Sequence, residues 1–412
     1  MNPVSPAVGI RVFLLFASGY FLSYALRTVN AVIAPDLVEQ FGFSNAALGA
    51  LASAYFFSFI VMQLPLGVWL DRFGSRDTDS CLLAIAALGC LMFAAATEAW
   101  MLGVARAVIG IGVSGALMSG LRAFRFAFAP ERQQRLSAWM LTGGTLGALV
   151  STVPAQMALP SIGWRGLFVL CAVLLAVSAA GIRLLLPAEP RQAPTPIAEQ
   201  WRAYLEVFRE RYFWRFVLPS ITLQATFIAM QSLWAGPWFT RVLGLTPAES
   251  ARALLVLNVV LMFAYLLLGW AMPRLAARGW STLAVTAGGS VLMLVSQVLI
   301  IVAEGRWAWL LWLPFAIGVT VFTPAQTHVS LTFRGALTGR AFSAFNMMIF
   351  VGIFLSQWLF GVLVDALGAQ AGLDPVGAFR VALGAWVGLQ AMALAVMLLW
   401  RVPPPGGQSG SV

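Results

Sequence analysis

The chain has 412 residues, of which 60% are hydrophobic and only 10% are charged. An ordinary soluble domain carries about 25% charged residues, so this composition excludes a water-soluble fold and indicates a membrane protein. The 25 basic residues are all arginine and stand against 15 acidic residues. They lie between apolar runs instead of forming one basic patch, which argues against a nucleic-acid partner.

The sequence contains no recognisable catalytic or metal-binding motif. The three cysteines lie inside apolar runs and have no disulfide or metal-ligand spacing. The sequence has no phosphate-binding loop, no metal-spaced histidines and no nucleophile with a matching base. We therefore expect a protein that is not an enzyme and holds neither a cofactor nor a metal.

Long apolar segments dominate the chain. A helix that crosses about 30 Å of hydrocarbon needs about 20 mainly apolar residues, and the sequence offers twelve such segments. Their approximate bounds are 10 to 34, 45 to 70, 80 to 97, 101 to 124, 137 to 159, 165 to 186, 214 to 239, 251 to 272, 282 to 303, 308 to 332, 341 to 366 and 377 to 400. The first run lacks a small-residue cleavage site and is predicted to be a retained helix.

The arginines predict the orientation. With both termini in the cytoplasm, 18 arginines fall on the cytoplasmic side and 6 on the outside, while Arg27 remains within the membrane. This distribution follows the positive-inside rule, and the opposite orientation would violate it. The sequence therefore predicts a multi-pass protein of the bacterial inner (plasma) membrane with both termini cytoplasmic.

A polar stretch near the middle divides the chain. We assign 1–187 and 214–401 to two six-helix bundles and 188–213 to a cytoplasmic linker. Trp201, Leu205, Phe208 and Tyr212 recur at helical spacing, which fits either a helix lying in the membrane interface or an ordinary linker helix. The tail 402–412 is predicted to be disordered.

The two halves repeat each other. Residues 67–76 read GVWLDRFGSR after the second span, and residues 269–278 read GWAMPRLAAR after the eighth. A glycine and two arginines recur at nearly the same offsets. Six-plus-six repeats are a common plan of secondary transporters, with the binding site where the repeats meet.

At these residues the chain resembles the major facilitator superfamily. The stretch 67–76 resembles that family's signature between helices 2 and 3, and Arg106 followed by Gly110 and Gly112 resembles its helix 4 motif. The resemblance covers the whole chain and implies an all-α membrane fold of twelve helices. It further implies transport by rocker-switch alternating access.

The resemblance also implies a set of gating residues. In the family, the signature aspartate, here Asp71, packs at the start of helix 11 and braces one conformation. The conformational set implied for this chain is Gly67, Asp71, Arg72, Gly74, Arg76, Arg106 and Glu131. For Arg106, pairing with Asp36 or with the backbone of helix 1 are the two alternatives.

Two weaker resemblances bear on the substrate. The antiporter signature of helix 5 is incomplete, because Val153 stands where a glycine precedes the proline. Residues 26–35 resemble bacterial permeases labelled as nitrate or nitrite carriers. However, helices 2 and 8 lack the arginines that true nitrate carriers hold at mid-membrane.

Polar groups at membrane depth are candidates for substrate binding, because insertion of a charged side chain costs about 2.5–3.5 kcal/mol. Arg27 is predicted to bind an anion in bidentate fashion, with Asn30 one turn further on. The alternative is an arginine that reaches the outer surface or pairs with Asp36. The full set of candidate substrate-binding residues is Arg27, Asn30, Ser119, Gln231, Trp234, Gln326 and Thr327.

Proton coupling has few candidates. No acidic residue stands well inside helices 1, 4, 7 or 10, so His328 and Asp36 are the residues proposed for it. Histidine is suited to this role because its ordinary pKa is about 6.5. A histidine that only links two helices is the alternative.

The sequence thus predicts a monomeric secondary active transporter that moves a small polar, anionic solute. A co-transported proton and the lipid bilayer are its other expected partners. The alternative is a proton-coupled exporter of drugs or amphipathic metabolites.

Overall fold

The computed structural model describes residues 6–187, 197–333, 335 and 337–405. In these residues the regular elements are all helices, which confirms the all-α fold class. The first α-helices are α1 (Pro6–Thr28), α2 (Asn30–Phe41), α3 (Asn45–Ala95), α4 (Ala99–Val113), α5 (Ala116–Ala127), α6 (Pro130–Val150), α7 (Val153–Leu185), α8 (Ile197–Arg209) and α9 (Arg211–Pro219). The remaining ones are α10 (Ala225–Ala229), α11 (Ala235–Pro237), α12 (Pro247–Ala277), α13 (Thr282–Val302), α14 (Trp312–Val319), α15 (Phe322–Leu331), α16 (Leu337–Ala371) and α17 (Pro375–Leu399).

Eleven helical segments in the described part of the chain are long and apolar enough to cross a membrane. They cover the predicted spans except the fifth, 137 to 159. That span is helical apart from Ser151 and Thr152, but α6 begins with a polar turn and is less apolar than the others. The protein is therefore a multi-pass helical membrane protein.

Glycines mark two of the predicted loops. α3 contains the second and third predicted spans and is interrupted at Gly74, where φ is 78°. α7 joins the end of the fifth predicted span to the sixth and is interrupted at Gly163, where φ is 62°. A side chain with a Cβ would be strained at these dihedral angles, so glycine permits both breaks.

The seventh predicted span is an irregular helix. Three π-helical segments, Ser220–Gln224, Met230–Trp234 and Trp238–Val242, interrupt its α-helical turns. π-helical turns are rare in proteins, and those that occur are often found at functional sites. The apolar pattern of the sequence does not reveal them.

The chain divides into two compact units. The first consists of Met1–Phe43 and Ala50–Pro196. Within it α1 packs against α5, α6 and α7. A Cβ at Gly147 on α6 would collide with the carbonyl oxygen of Phe21 on α1, so this glycine allows the two helices to approach closely.

The second unit consists of Ser44–Gly49 and Ile197–Val412. Within it α16 packs against α10, α15 and α17. The short segment Ser44–Gly49 belongs here because Asp365 on α16 accepts hydrogen bonds from the backbone N–H groups of Asn45 and Ala46, at 3.2 and 2.7 Å. A carboxylate at the first turn of a helix also interacts favourably with the helix dipole.

The predicted linker is partly described. Residues 188–196 and 406–412 lie outside the described residues, so the predicted start of the linker and most of the predicted tail do too. α8 lies within the predicted linker and exposes Trp201 and Leu205, while Tyr204 and Val207 are buried. The division into 1–187, 188–213, 214–401 and 402–412 stays a prediction.

Candidate functional site

Arg27 lies near the end of α1 and is buried, with 8% of its surface exposed. Its guanidinium carbon is 4.5 Å from the centre of the Tyr24 ring and 5.8 and 5.9 Å from the rings of Phe56 and Phe59 on α3. An aromatic face attracts a cation at these distances. The charge of Arg27 is thus held among aromatic rings inside the first unit.

Tyrosines complete the surroundings of Arg27. Tyr20, Tyr24 and Tyr55 are close enough to interact with it electrostatically. The Tyr55 hydroxyl donates to the backbone carbonyl oxygen of Ser23 at 3.2 Å, which ties α3 to α1. We call Arg27, Asn30, Tyr24, Phe56 and Phe59 the Arg27 site.

Asn30 begins α2, one residue after the helix is interrupted at Val29. It is buried, and its side-chain oxygen has no hydrogen-bond partner among the described residues. At this break Thr28 also contacts Ser151, with 2.6 Å between the hydroxyl oxygens. The buried guanidinium of Arg27 and the buried amide of Asn30 therefore lie on either side of this break.

Arg106 on α4 is fully buried and anchors this region. Its Nη1 donates to the backbone carbonyl oxygen of Leu26 at 2.9 Å. Of the two predicted alternatives, pairing with Asp36 or with the backbone of helix 1, the structure shows the second. The rings of Phe93 and Phe168 lie 5.2 and 5.4 Å from its guanidinium carbon. Arg106 thus holds the residue that directly precedes Arg27.

Asp71 forms an ion pair within the first unit. Its Oδ1 lies 2.6 Å from Nη1 of Arg122 on α5, and both side chains are half-buried. The pairing of Asp71 with Arg122 is not predictable from the sequence, because the two residues are 51 positions apart in the chain. Only the packing of α5 against α3 brings them together.

Most other residues of the predicted gating set lie close to Asp71 in the sequence. Arg76 contacts Asp77 at 2.8 Å and donates to the carbonyl oxygen of Leu186 at 3.3 Å. Arg72 is exposed and its guanidinium carbon lies 5.3 Å from the Phe73 ring. Gly67 lies in α3 before the break at Gly74. The side chain of Glu131 lies outside what the structure describes.

The candidates of the second unit are mostly engaged with neighbouring helices. Gln231 donates to the side-chain oxygen of Asn258 at 2.6 Å. Trp234 is fully buried and its indole donates to the carbonyl oxygen of Gln357 at 3.1 Å. Hydrogen bonds of this kind hold membrane helices together. Their predicted role in substrate binding stays a prediction.

α15 carries three further candidates. Gln326 donates to the carbonyl oxygen of Phe342 at 3.2 Å, while Thr327 is exposed and donates to Thr323 within its own helix. His328 lies 2.9 Å from the Tyr212 hydroxyl, measured from Nε2. The histidine therefore links α15 to α9.

Asp36 and Ser119 remain from the predicted set. Asp36 lies on α2, where burial raises the pKa of its carboxyl above the ordinary value and the nearby charge of Glu39 raises it further. Ser119 is fully buried on α5, and its hydroxyl has no hydrogen-bond partner of good geometry among the described residues. These two residues lie on different helices of the first unit, α2 and α5.

The aromatic residues of the Arg27 site were not predicted. Tyr24 stands three residues before Arg27, a spacing that puts both on one face of a helix. That signal was available in the sequence. Phe56 and Phe59 belong to another helix, and their proximity to Arg27 depends on the tertiary structure.

Comparison with known proteins agrees with this architecture. The sequence profile of the Major Facilitator Superfamily matches residues 16–356. A gentisate transporter of Corynebacterium glutamicum is 24% identical over 302 aligned positions, which cover 70% of this chain and 66% of that transporter, slightly less than two thirds of its length. A probable nitrate/nitrite antiporter of Thermus thermophilus is 25% identical over 95% of this chain and 88% of the antiporter.

Solved structures show the same fold. A bacterial homologue of the human lysosomal transporter Spinster, in an inward-facing and unoccupied conformation, matches with a TM-score of 0.80. Its sequence identity is 19%, over 96% of this chain and 97% of that chain, so it supports the fold alone. From the profile match over most of its length, this chain belongs to the major facilitator superfamily.

Proposed function

We propose that this protein is a secondary active transporter that moves small organic anions across the bacterial inner membrane by alternating access, with both termini in the cytoplasm. The observation that carries the proposal is Arg27, a guanidinium buried near the end of a mainly apolar helix. Inserting a charged side chain into a membrane costs free energy, and such a residue commonly marks a substrate pathway.

The surroundings of Arg27 favour a planar carboxylate. A guanidinium binds a carboxylate through two parallel hydrogen bonds, and the rings of Tyr24, Phe56 and Phe59 offer apolar faces beside it. Asn30 would accept a hydrogen bond from a substrate hydroxyl, since its buried oxygen lacks a partner among the described residues. A hydroxylated aromatic acid supplies all three features, and a relative named as a gentisate transporter supports this choice.

The Asp71–Arg122 pair is proposed to act in gating. It joins α3, near the break at Gly74, to α5. A single short ion pair between helices can stabilise one conformation and be exchanged in another, so it biases an equilibrium between two states. We expect Arg72, Arg76 and Glu131 to contribute to the same conformational equilibrium.

Uptake by purified protein in lipid vesicles tests the substrate proposal. Labelled gentisate and nitrate are the anionic probes and xylose is the neutral probe. Arg27→Gln is expected to weaken gentisate uptake about 10- to 100-fold, because a hydrogen bond to a charged group contributes about 1.5–3 kcal/mol. Arg27→Lys should retain part of the uptake, since it keeps the charge but loses the bidentate geometry.

Arg11→Gln is the matched control, because Arg11 lies on the same helix and is exposed. It should leave uptake unchanged. Equal gentisate uptake by wild type and Arg27→Gln, at equal amounts of inserted protein, would remove Arg27 from the binding site.

The aromatic rings also fit a second function, export of amphipathic compounds coupled to protons. The two functions differ in direction and in substrate charge. An exporter would accumulate cationic dyes in inverted membrane vesicles and would tolerate Arg27→Gln. An importer of organic anions would not accumulate cationic dyes, and it would lose transport activity in Arg27→Gln.

A further inference from the structure

Asp79 is a buried acid that the proposed function does not use. It lies on α3, five residues after the break at Gly74, and none of its surface is exposed. Neither of its carboxylate oxygens has a hydrogen-bond partner of good geometry among the described residues. Its burial is not evident from the sequence, since it follows Asp77 in a polar stretch between the second and third predicted spans.

A serine faces Asp79, and a buried apolar cluster lies beside that serine. The Ser119 hydroxyl on α5 faces the carboxyl and is itself fully buried. Leu66 and Leu82 on α3 belong to a buried apolar cluster beside Ser119 and Gly115. Among the described residues, Asp71 pairs with Arg122, and Asp77 pairs with Arg76 and Arg183. None of these ion pairs includes Asp79.

This environment determines the charge of Asp79. An ionised carboxylate without hydrogen bonds or a counter-ion is strongly disfavoured in an apolar interior, so a buried acid of this kind keeps its proton. The neutral carboxyl can share that proton with Ser119. Burial therefore favours the neutral, protonated form of Asp79 over the ionised form.

An arginine lies on α5 one helical turn from Ser119, the residue that faces Asp79. Arg122 follows Ser119 by three residues on α5, and residues at this spacing share a helix face. Arg122 contacts Asp71 in this structure, 2.6 Å from Nη1 to Oδ1. Ser119, which faces Asp79, and Arg122, which binds Asp71, therefore lie on the same side of α5.

We propose that Asp79 is a proton-binding site and that Asp71 and Asp79 alternate as partners of Arg122. While Arg122 binds Asp71, Asp79 holds one proton. When Arg122 moves to Asp79, the carboxyl ionises and its proton passes to water at the end of the unit where Asp71 lies. One proton is thus bound and released in each conformational cycle, in addition to the roles considered for His328 and Asp36.

Infrared difference spectroscopy tests this site without any substrate. Wild-type protein in lipid vesicles is titrated with acid, and the carbonyl band of protonated carboxyl groups is followed. Asp79→Asn is expected to lose one titrating carboxyl from this band. Asp77→Asn is the matched control, because Asp77 is half-exposed and paired with arginines, and it should retain the Asp79 signal.

Two further variants test the alternation, since their effects have opposite signs. Arg122→Gln removes the counter-ion and should raise the midpoint of the Asp79 titration by about one pH unit or more. Asp71→Asn removes the ion pair between Asp71 and Arg122 and should lower the midpoint of the Asp79 titration. Identical midpoints in wild type and both variants would overturn the alternation, and an unchanged band in Asp79→Asn would overturn the site itself.

Asp79→Glu serves if Asp79→Asn does not insert into the membrane. It keeps a titrating carboxyl but moves the position of its band, which assigns the signal. A band that is the same in wild type and Asp79→Glu at every pH would contradict the proposal.

A transport measurement adds the coupling role, which rests on the proposed function. An inward pH gradient should accelerate gentisate uptake about tenfold in wild type and should no longer accelerate it in Asp79→Asn. Persistent acceleration in the variant would exclude coupling through Asp79. If wild type does not transport gentisate at all, the proposed substrate fails while the infrared titration still decides the proton site.

Discussion

The guanidinium of Arg106 donates a 2.9 Å hydrogen bond to the carbonyl oxygen of Leu26, the residue directly before Arg27. The bond is made where α1 ends and α2 begins, so a side chain from α4 holds the backbone at the helix break. Arg27 is therefore placed by two groups of contacts, the aromatic rings around its own side chain and the anchored backbone before it.

Replacement of Arg106 tests this anchor. Arg106→Leu leaves the Leu26 carbonyl oxygen without its side-chain donor, and a buried acceptor that loses its partner costs about 1–3 kcal/mol. Arg106→Gln also removes the charge but keeps an N–H donor. Thermal unfolding of the detergent-purified variants should show Arg106→Leu as the less stable of the two. Equal melting temperatures would mean that the hydrogen bond contributes nothing measurable.

Gly110 tests the close packing of α4 on α3. A Cβ at this position would overlap the carbonyl oxygen of Tyr55, whose side chain lies close to Arg27. Gly110→Ala is expected to cost about 1–3 kcal/mol, because overpacking forces the backbone to move. Gly103→Ala on the same helix is the control, because a Cβ there meets open space, and it should stabilise by about 0.4–1 kcal/mol. Chemical denaturation monitored by tryptophan fluorescence measures both, and a similar effect of the two substitutions would refute the packing argument.

A buried amide pair joins α13 to α17 in the second unit. Gln297 and Gln390 exchange hydrogen bonds of 2.6 and 3.2 Å, and both are fully buried. Gln297→Leu leaves the amide of Gln390 unpaired and should cost about 1–2 kcal/mol. The double variant Gln297→Leu/Gln390→Leu should cost less than the sum of the single ones, and a double-mutant cycle measures the difference. Strict additivity would show that the two amides do not interact energetically.

Asp36 predicts a pH dependence of stability. Burial and Glu39 raise the pKa of its carboxyl in the folded protein, so the folded state favours the protonated form. The stability that this provides is complete below the ordinary pKa of about 4 and is lost as the pH rises through the raised value. Wild type should therefore lose melting temperature relative to Asp36→Asn between about pH 4 and neutrality. Glu39→Gln should reduce this difference, and parallel melting curves for wild type and Asp36→Asn would contradict the shift.

The helices and their order follow from the sequence with few surprises. Twelve apolar segments, each long enough to cross a bilayer, predict an all-α membrane protein, because backbone groups in lipid must pair within their own helix. The loop after the second span is recognisable from Gly67, Asp71 and Gly74, and Gly74 is where α3 breaks. The π-helical turns of the seventh span were not predictable, since they depend on packing rather than on hydropathy.

The contacts of the polar side chains could not be predicted from the sequence. Arg27 is conspicuous in the sequence as an isolated charge in an apolar run, and so is Arg106. Their contacts with Phe56 and Leu26 are not, because each joins residues that are distant in the chain. Asp79 shows the reverse error, since a residue that looks like part of a polar loop is fully buried.

The sequence by itself determined the membrane class, the order of most membrane-spanning segments, and isolated charges such as Arg27 and Arg106 in apolar runs. These properties depend on composition and on local spacing, which are written directly in the chain. Only the tertiary structure decided which of those residues meet, because an ion pair such as Asp71–Arg122 forms across helices whose relative rotation no local pattern encodes. The same packing decided that Asp79 is buried and that Arg27 lies among aromatic rings.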